Sequence, residues 1–461
     1  MANGPTTCFS RDVSPLALLV SLAVAAPVEA TTLDIAAPIH DALFVGKRGE
    51  IWLLAGPGRE GEPRRAFVLD ASGKLRRGPA LPANAVATDA CPVSGGGEDV
   101  VYADARGIVD ARGQRLLEGD ALFAVPDPAA LFVTDLCGGP GRRELRLAVR
   151  GGVVVRGEDG VATELTYPAA ARAYSGRVHR GLRPERPYGM ALSLYAPRLY
   201  DADVDGDGRL DLLALHEGRL AVYRRDEGGR LEPRPARVLA LQAKLGASAD
   251  ADLRVVAGDL DKDGRVELVV GVTEGPAPER SEAWLLSSEK GIFDRAPERL
   301  WSRAGLLAPL AITAPGGAPS LLVSEVDTSL VALGAVLMTG QVGVKLWRIE
   351  SGRGPFLPAL ELSAHVDVRQ GRMAGALPVT SVDFDRDGRR DLLDVGTPAL
   401  AALYRGSDDG FAKAPEASLA VPPFVHVVPL PRLPGAVLVG APDERGHTKV
   451  ALIVGPPPRR K

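Results

Sequence analysis

The apolar positions of this chain fall into short runs. DLLALHEG, RLAVYRRD and RPARVLALQ follow one another between residues 211 and 242, each bounded by Gly, Asp or Pro, with leucine or β-branched residues alternating with polar ones. Such alternation belongs to strands, and these runs carry no sustained 3.6-residue period that would make them helices. Each group therefore predicts three or four antiparallel strands. Similar groups recur along the chain. Strong units start at Asp203, Asp259 and Asp383, weaker ones near Asp89, Asp135, Thr313 and Pro429, and the weakest near Leu33, at intervals from about 46 to about 70 residues. A sheet of this size cannot bury both faces alone, and radial repetition of four-stranded sheets solves that problem.

The predicted fold is thus all-β, a β-propeller of seven or eight four-stranded antiparallel blades. The last unit, Phe424 to Gly455, has about three visible strands, so a strand from the N-terminal end is expected to complete it and close the ring. A β-solenoid fits less well, because its repeats are shorter and more uniform. The apolar stretch Ser329 to Val344 is too short and too polar for a membrane span and predicts a buried strand pair.

Three turns carry unusual charge. DADVDGDGRLDLLAL contains Asp203, Asp205, Asp207 and Asp211; DLDKDGRVELVVGV contains Asp259, Asp261, Asp263 and Glu267; DFDRDGRRDLLDVG contains Asp383, Asp385, Asp387 and Asp391. In each, acids stand at places 1, 3, 5 and 9, with Gly at place 6. Carboxylates this close repel one another unless a cation compensates them. An all-oxygen donor set, completed by the place-7 carbonyls of Arg209, Arg265 and Arg389, suits calcium, giving about three Ca2+ sites. An EF-hand would need flanking helices and a Glu at place 12, where this chain has Ala214, Val270 and Asp394. Ion-free Asp-Gly hairpins are the remaining alternative.

These DxDxDGxxDL turns, each followed by a strand, resemble those of the FG-GAP, or VCBS, repeats of integrin-α-like propellers and of secreted bacterial proteins. The strong motif covers three units, and the weaker phasing runs from about residue 33 to 455. The resemblance implies a calcium-bound propeller outside the cytoplasm, usually serving binding. It implies no ligand at the turns near Leu33, Asp89, Asp135, Thr313 and Pro429, where the acids are largely missing.

Composition narrows the class further. With 461 residues, 46% apolar types and a net charge of -3, the chain can bury a large core and is neither a disordered nor a polyanion-binding protein. Arg11, the apolar run Pro15 to Ala26 and Val28-Glu29-Ala30 match a secretory signal over residues 1–30, with a mature start near Thr31. That run is shorter than the roughly 20 residues an anchoring span needs. The propeller then occupies 31–456, followed by a basic tail, 457–461. Secretion or periplasmic export would leave Cys91 and Cys137, which either form a disulfide or stay as two buried thiols.

No catalytic constellation stands out. The six His, at 40, 179, 216, 365, 426 and 447, have no metal-ligand spacing and read as surface or turn residues, and neither a GxxxxGK[ST] loop nor a GxSxG elbow is present. The Gly triplet at 95–97 reads as a degenerate metal turn. Two long intervals offer room for binding loops: Ala171 to Tyr195, with Arg172, Arg177, Arg180, Arg183 and Arg186 among Tyr174, His179 and Tyr188, and Gly352 to Ala376. The expected function is a non-enzymatic binding scaffold, monomeric, for an extracellular or periplasmic protein or glycan, without nucleic acid and without a membrane span once the signal is removed. The alternative is a lectin or polysaccharide lyase on the same ring, against which stands a supply of only four Trp (52, 284, 301 and 347) for stacking sugars.

Overall fold

The computed structural model describes residues 28–455 except for short stretches within that range, the longest at 123–131 and 179–188. The expected signal therefore lies almost wholly outside the described residues. So does the basic tail.

Eight antiparallel sheets form a β-propeller. Blade one is built from Ile39–Val45, Glu50–Ala55, Arg65–Leu69 and Leu75–Ala80. Blades two to seven follow in chain order. Blade eight takes three strands, His426–Leu430, Gly435–Val439 and Thr448–Val454, from the C-terminal end and its outer strand, Glu29–Ile35, from the N-terminal end. Glu29 pairs with Val454 and Ile35 with Thr448, so the two ends close the ring as expected, and the count is eight. In blades three and seven the innermost strand shrinks to a single bridge, Cys137 to Leu145 and Val379 to Leu393.

The second strand of each blade explains the sequence pattern. In blade four, Asp211–His216 is buried at every position. Leu213 and Leu215 enter the cluster shared with blade five, while Leu212 and Ala214 enter the one shared with blade three. Alternation by two thus feeds two blade interfaces, and both need apolar side chains, so the run reads as almost continuously apolar. Eight such clusters lie at the eight interfaces around the ring.

Two expectations change. The stretch Ser329 to Val344 is not a buried strand pair: Leu330–Thr339 is a helix, and the next strand, Gln341–Glu350, begins only after it. Ser329 caps the helix by accepting from the Ala332 N–H, and Gly340 ends it with φ 66°. Nor is it buried, since Val331, Leu337 and Met338 are 83%, 70% and 87% exposed. The long interval Ala171 to Tyr195 forms an antiparallel ribbon, Arg172–Val178 with Gly189–Tyr195; its side chains lie outside the described residues. The other interval, Gly352 to Ala376, supplies outer strands of blade six, Leu357–Asp367 and Arg372–Ala374. Among the described residues, no helix is long and apolar enough to cross a membrane.

Candidate metal centres

The three acidic turns join the first and second strands of blades four, five and seven. Each is folded by its own carboxylates. In turn one Asp203 accepts from the backbone N–H groups of Gly206, Asp207 and Gly208 at 2.8, 3.2 and 2.8 Å. In turns two and three the place-1 acids Asp259 and Asp383 accept from Gly264 and Gly388 at 3.1 and 2.9 Å. The place-6 glycines have φ of 81°, 85° and 91°, which only glycine adopts without strain. A second left-handed residue sits at place 4: Gly206, Lys262 and Arg386, with φ of 79°, 63° and 62°. The sequence motif does not announce this second bend, because two of the three residues are not glycine.

Place 9 closes each turn from below. Asp211 accepts from Val204 and Arg225, Glu267 from Leu260, and Asp391 from Phe384 and Gly406. All three side chains are buried. Burial pushes Asp211 up to about 6, with repulsion from Asp205 and Asp207 adding to it against two backbone hydrogen bonds. Burial likewise pushes Glu267 up to about 7 and Asp391 up to about 6, again with neighbouring acids contributing.

Nine of the twelve expected acids come together. Asp203, Asp205 and Asp211 bring oxygens within 4.8 Å of one another, as do Asp259, Asp261 and Asp263, and Asp383, Asp385 and Asp391. The other three stand apart. Asp207 and Asp387 pair with Arg209 and Arg389, their place-7 neighbours, and Glu267 lies outside the close set of turn two. Each close set contains one buried carboxylate oxygen with no hydrogen-bond partner: Oδ1 of Asp205, of Asp259 and of Asp383. Three converging acids with an unpaired buried oxygen fit a hard cation, which replaces the lost hydration of such an oxygen.

Turns one and two touch. The Val266 N–H donates to the Asp203 carbonyl at 2.9 Å, and a Cβ placed on Gly206 would stand 3.1 Å from the Arg265 Cγ. Behind turn one, a buried ionic cluster ties blade three to blade four: Glu144 binds both Arg146 and Arg225, and Arg146 also binds Asp201. The two pairs that cross between the blades, Arg146 with Asp201 and Arg225 with Glu144, join residues 55 and 81 positions apart, so no local spacing in the sequence signals them.

The weaker turns of blades two and three hold Cys91 and Cys137, which form a disulfide. With Asp89 they make a further compact group, but the sulfurs are consumed by the bond and offer no thiolate. His216, expected at a surface or turn, is buried with its ring edge-on to Tyr167 at 5.9 Å. A second signal recurs in several blades' hairpins, outside the acidic turns. The hairpins at Asp70, Asp110, Asp226 and Asp443 share a DxxG pattern, in which the Asp Oδ1 accepts from a backbone N–H four residues on.

Residues 203–270, spanning turns one and two, match a family model described as an FG-GAP-like repeat. No curated protein sequence matches the chain. Among solved structures, Sqt1 of Chaetomium thermophilum is similar at 11% identity and a TM-score of 0.47, over 91% of this chain and 96% of that one. Virginiamycin B lyase from Staphylococcus aureus is similar at 10% identity and a TM-score of 0.33, over 93% and 100%. A protein from Lactobacillus plantarum is similar at 14% identity and a TM-score of 0.33, over 82% and 97%.

Proposed function

We propose that this chain, a β-propeller with an FG-GAP-like repeat, is an extracytoplasmic scaffold stiffened by calcium, which presents its loops to a protein or glycan and catalyses no reaction. The observation that carries the reading is the unpaired buried oxygen of Asp205, Asp259 and Asp383, each inside a set of three converging carboxylates. Asp203, Asp205 and Asp211 would hold one ion, Asp259, Asp261 and Asp263 a second, and Asp383, Asp385 and Asp391 a third. A bound divalent cation supplies charge compensation. The chain's own part is to fix the turn: the backbone N–H groups orient the place-1 acids, and the place-9 acids anchor the start of the second strand. Oxygen-only, largely protein-derived donors favour calcium over zinc or magnesium.

Sugar stacking has little support from the indoles. Trp52 and Trp301 are buried, while Trp284 and Trp347 lie beneath Arg299 and Arg303. The test is thermal unfolding of the full chain with calcium and with chelator at neutral pH. We expect a lower midpoint in chelator, restored by calcium and not by equal ionic strength of sodium chloride. Identical midpoints would leave the turns as plain hairpins.

A further inference from the structure

The three turns differ in what faces the place-3 acid. Leu212, Leu268 and Leu392 occupy the same place in their turns and pair across the sheet with Tyr223, Leu286 and Tyr404. The next residue in each third strand is therefore equivalent: Arg224, Ser287 and Arg405. The residue after that confirms the register, since the N–H groups of Arg225 and Gly406 both donate to the place-9 acid at 2.8 Å. Arg405 Nε lies 3.0 Å from Asp385 Oδ2, and Arg224 Nε lies 3.8 Å from Asp205 Oδ2. Turn two has only a serine there, and its Asp261 and Asp263 are exposed.

We propose that Arg224 and Arg405 are tethered counter-cations that lower the calcium affinity of turns one and three, so that turn two fills first. This rests on the calcium reading above. A guanidinium stays charged throughout the accessible pH range, so it can be neither titrated away nor ignored by an incoming ion. An ion entering turn three must share Asp385 with Arg405 or displace it, and it meets a like charge in either case. Displacement has somewhere to go: Arg405 also binds Glu416 through Nε at 3.1 Å and Nη2 at 2.7 Å, and that pair survives when Asp385 turns inward. Without an ion, the same arginines offset the crowding in turns one and three. Turn two has a serine at that position, so more of the charge compensation at its place-3 acid is left to the ion.

Calorimetric titration of the chelator-stripped full chain with calcium chloride tests this. Wild type should show one tight and two weaker sites. Arg405→Gln should tighten one weaker site roughly tenfold, as loss of one like charge beside a divalent ion in a half-solvated site does. Arg405→Lys should retain the wild-type pattern, which a purely structural role of the guanidinium would not predict. Ser287→Arg should weaken the tight site by a similar factor, and it carries no risk of removing a native contact of the other two turns. Three sites of equal affinity, or constants that ignore all three substitutions, would overturn the proposal while leaving calcium binding intact. Absence of any calcium heat would remove both.

Discussion

Blades two and three and blades four and five solve one joining problem with different chemistry. In both pairs the turns between first and second strands meet across the interface. In blades two and three the turn begins D-x-C, and Cys91 and Cys137 are bonded with their Cα atoms 5.7 Å apart. The Leu136 N–H also reaches across to Asp89 at 3.0 Å. In blades four and five the turn begins D-x-D, so Asp205 and Asp261 stand where the cysteines do, and the cross-contact is the Val266 N–H on Asp203. A covalent staple holds whatever cations the solvent contains, and gives way only to a reductant. A cluster of carboxylates repels itself until a cation arrives, so the second pair makes stability conditional on the medium.

The comparison can be broken most strongly from the acidic side. Each ion bound at a hundredfold excess over its dissociation constant stabilises the folded state by about 2.7 kcal/mol, so loss of both from blades four and five should cost about 5 kcal/mol. Denaturant unfolding of Asp259→Ala with and without chelator checks this; the variant should lose part of the calcium response and retain the disulfide. From the other side, Cys137→Ser releases a link spanning 46 residues, worth about 4 kcal/mol as loop entropy. That variant should unfold at lower denaturant while keeping the full wild-type increment from calcium. A calcium increment that shrinks along with the disulfide would mean the two staples act as one unit.

A third, smaller effect distinguishes the pairs by pH. In the ion-free chain, burial raises Asp211 from 3.8 to about 6 and Glu267 from 4.5 to about 7. An acid whose folded-state pKa is raised contributes stability that is complete below its unfolded pKa and is lost as pH climbs through the folded one. Chelated protein should therefore be more stable near pH 5 than near pH 8, by on the order of 2 kcal/mol, because water at the exposed Asp261 and Asp263 damps the repulsion. With calcium the slope reverses, since the ion needs ionised carboxylates. Parallel curves with and without chelator would detach these acids from the ion.

Much of this was legible in the sequence, for reasons visible at particular residues. The run Asp211–His216 announces itself because blade interfaces bury both of its faces, and the acids at places 1, 3 and 5 stand out because ordinary hairpins have no use for them. Closure by Glu29–Ile35 follows from a last unit one strand short. The helix Leu330–Thr339 was hidden because nine of its ten residues are apolar or glycine and show no amphipathic period, although its Ser329 and Gly340 boundaries were in view. Contacts between residues distant in the chain left no local trace at all. Arg225 meets Glu144 across 81 positions, and no spacing rule points from one to the other. The arginines facing Asp205 and Asp385 were likewise invisible until the strand register aligned them.

The smallest expected effect compares turn one with turn two inside the acidic pair. At place 4 turn one has Gly206, at φ 79°, whereas turn two has Lys262, held at φ 63°. A side chain in the left-handed region costs about 1 kcal/mol relative to glycine, and glycine loses part of that advantage through its greater freedom when unfolded. Lys262→Gly should therefore stabilise the protein by about 0.5 kcal/mol in chelator, against the usual sign for a glycine substitution. It also removes a cation from the edge of turn two, so calcium binding there should tighten slightly, and the gain in unfolding midpoint should be larger with calcium than without. The matching change in turn one, Gly206→Ala, should destabilise on two counts: it strains the same φ, and its Cβ would meet the Arg265 Cγ at 3.1 Å. A Lys262→Gly variant that melts lower than wild type would show that the lysine side chain makes a contact worth more than the backbone strain it imposes.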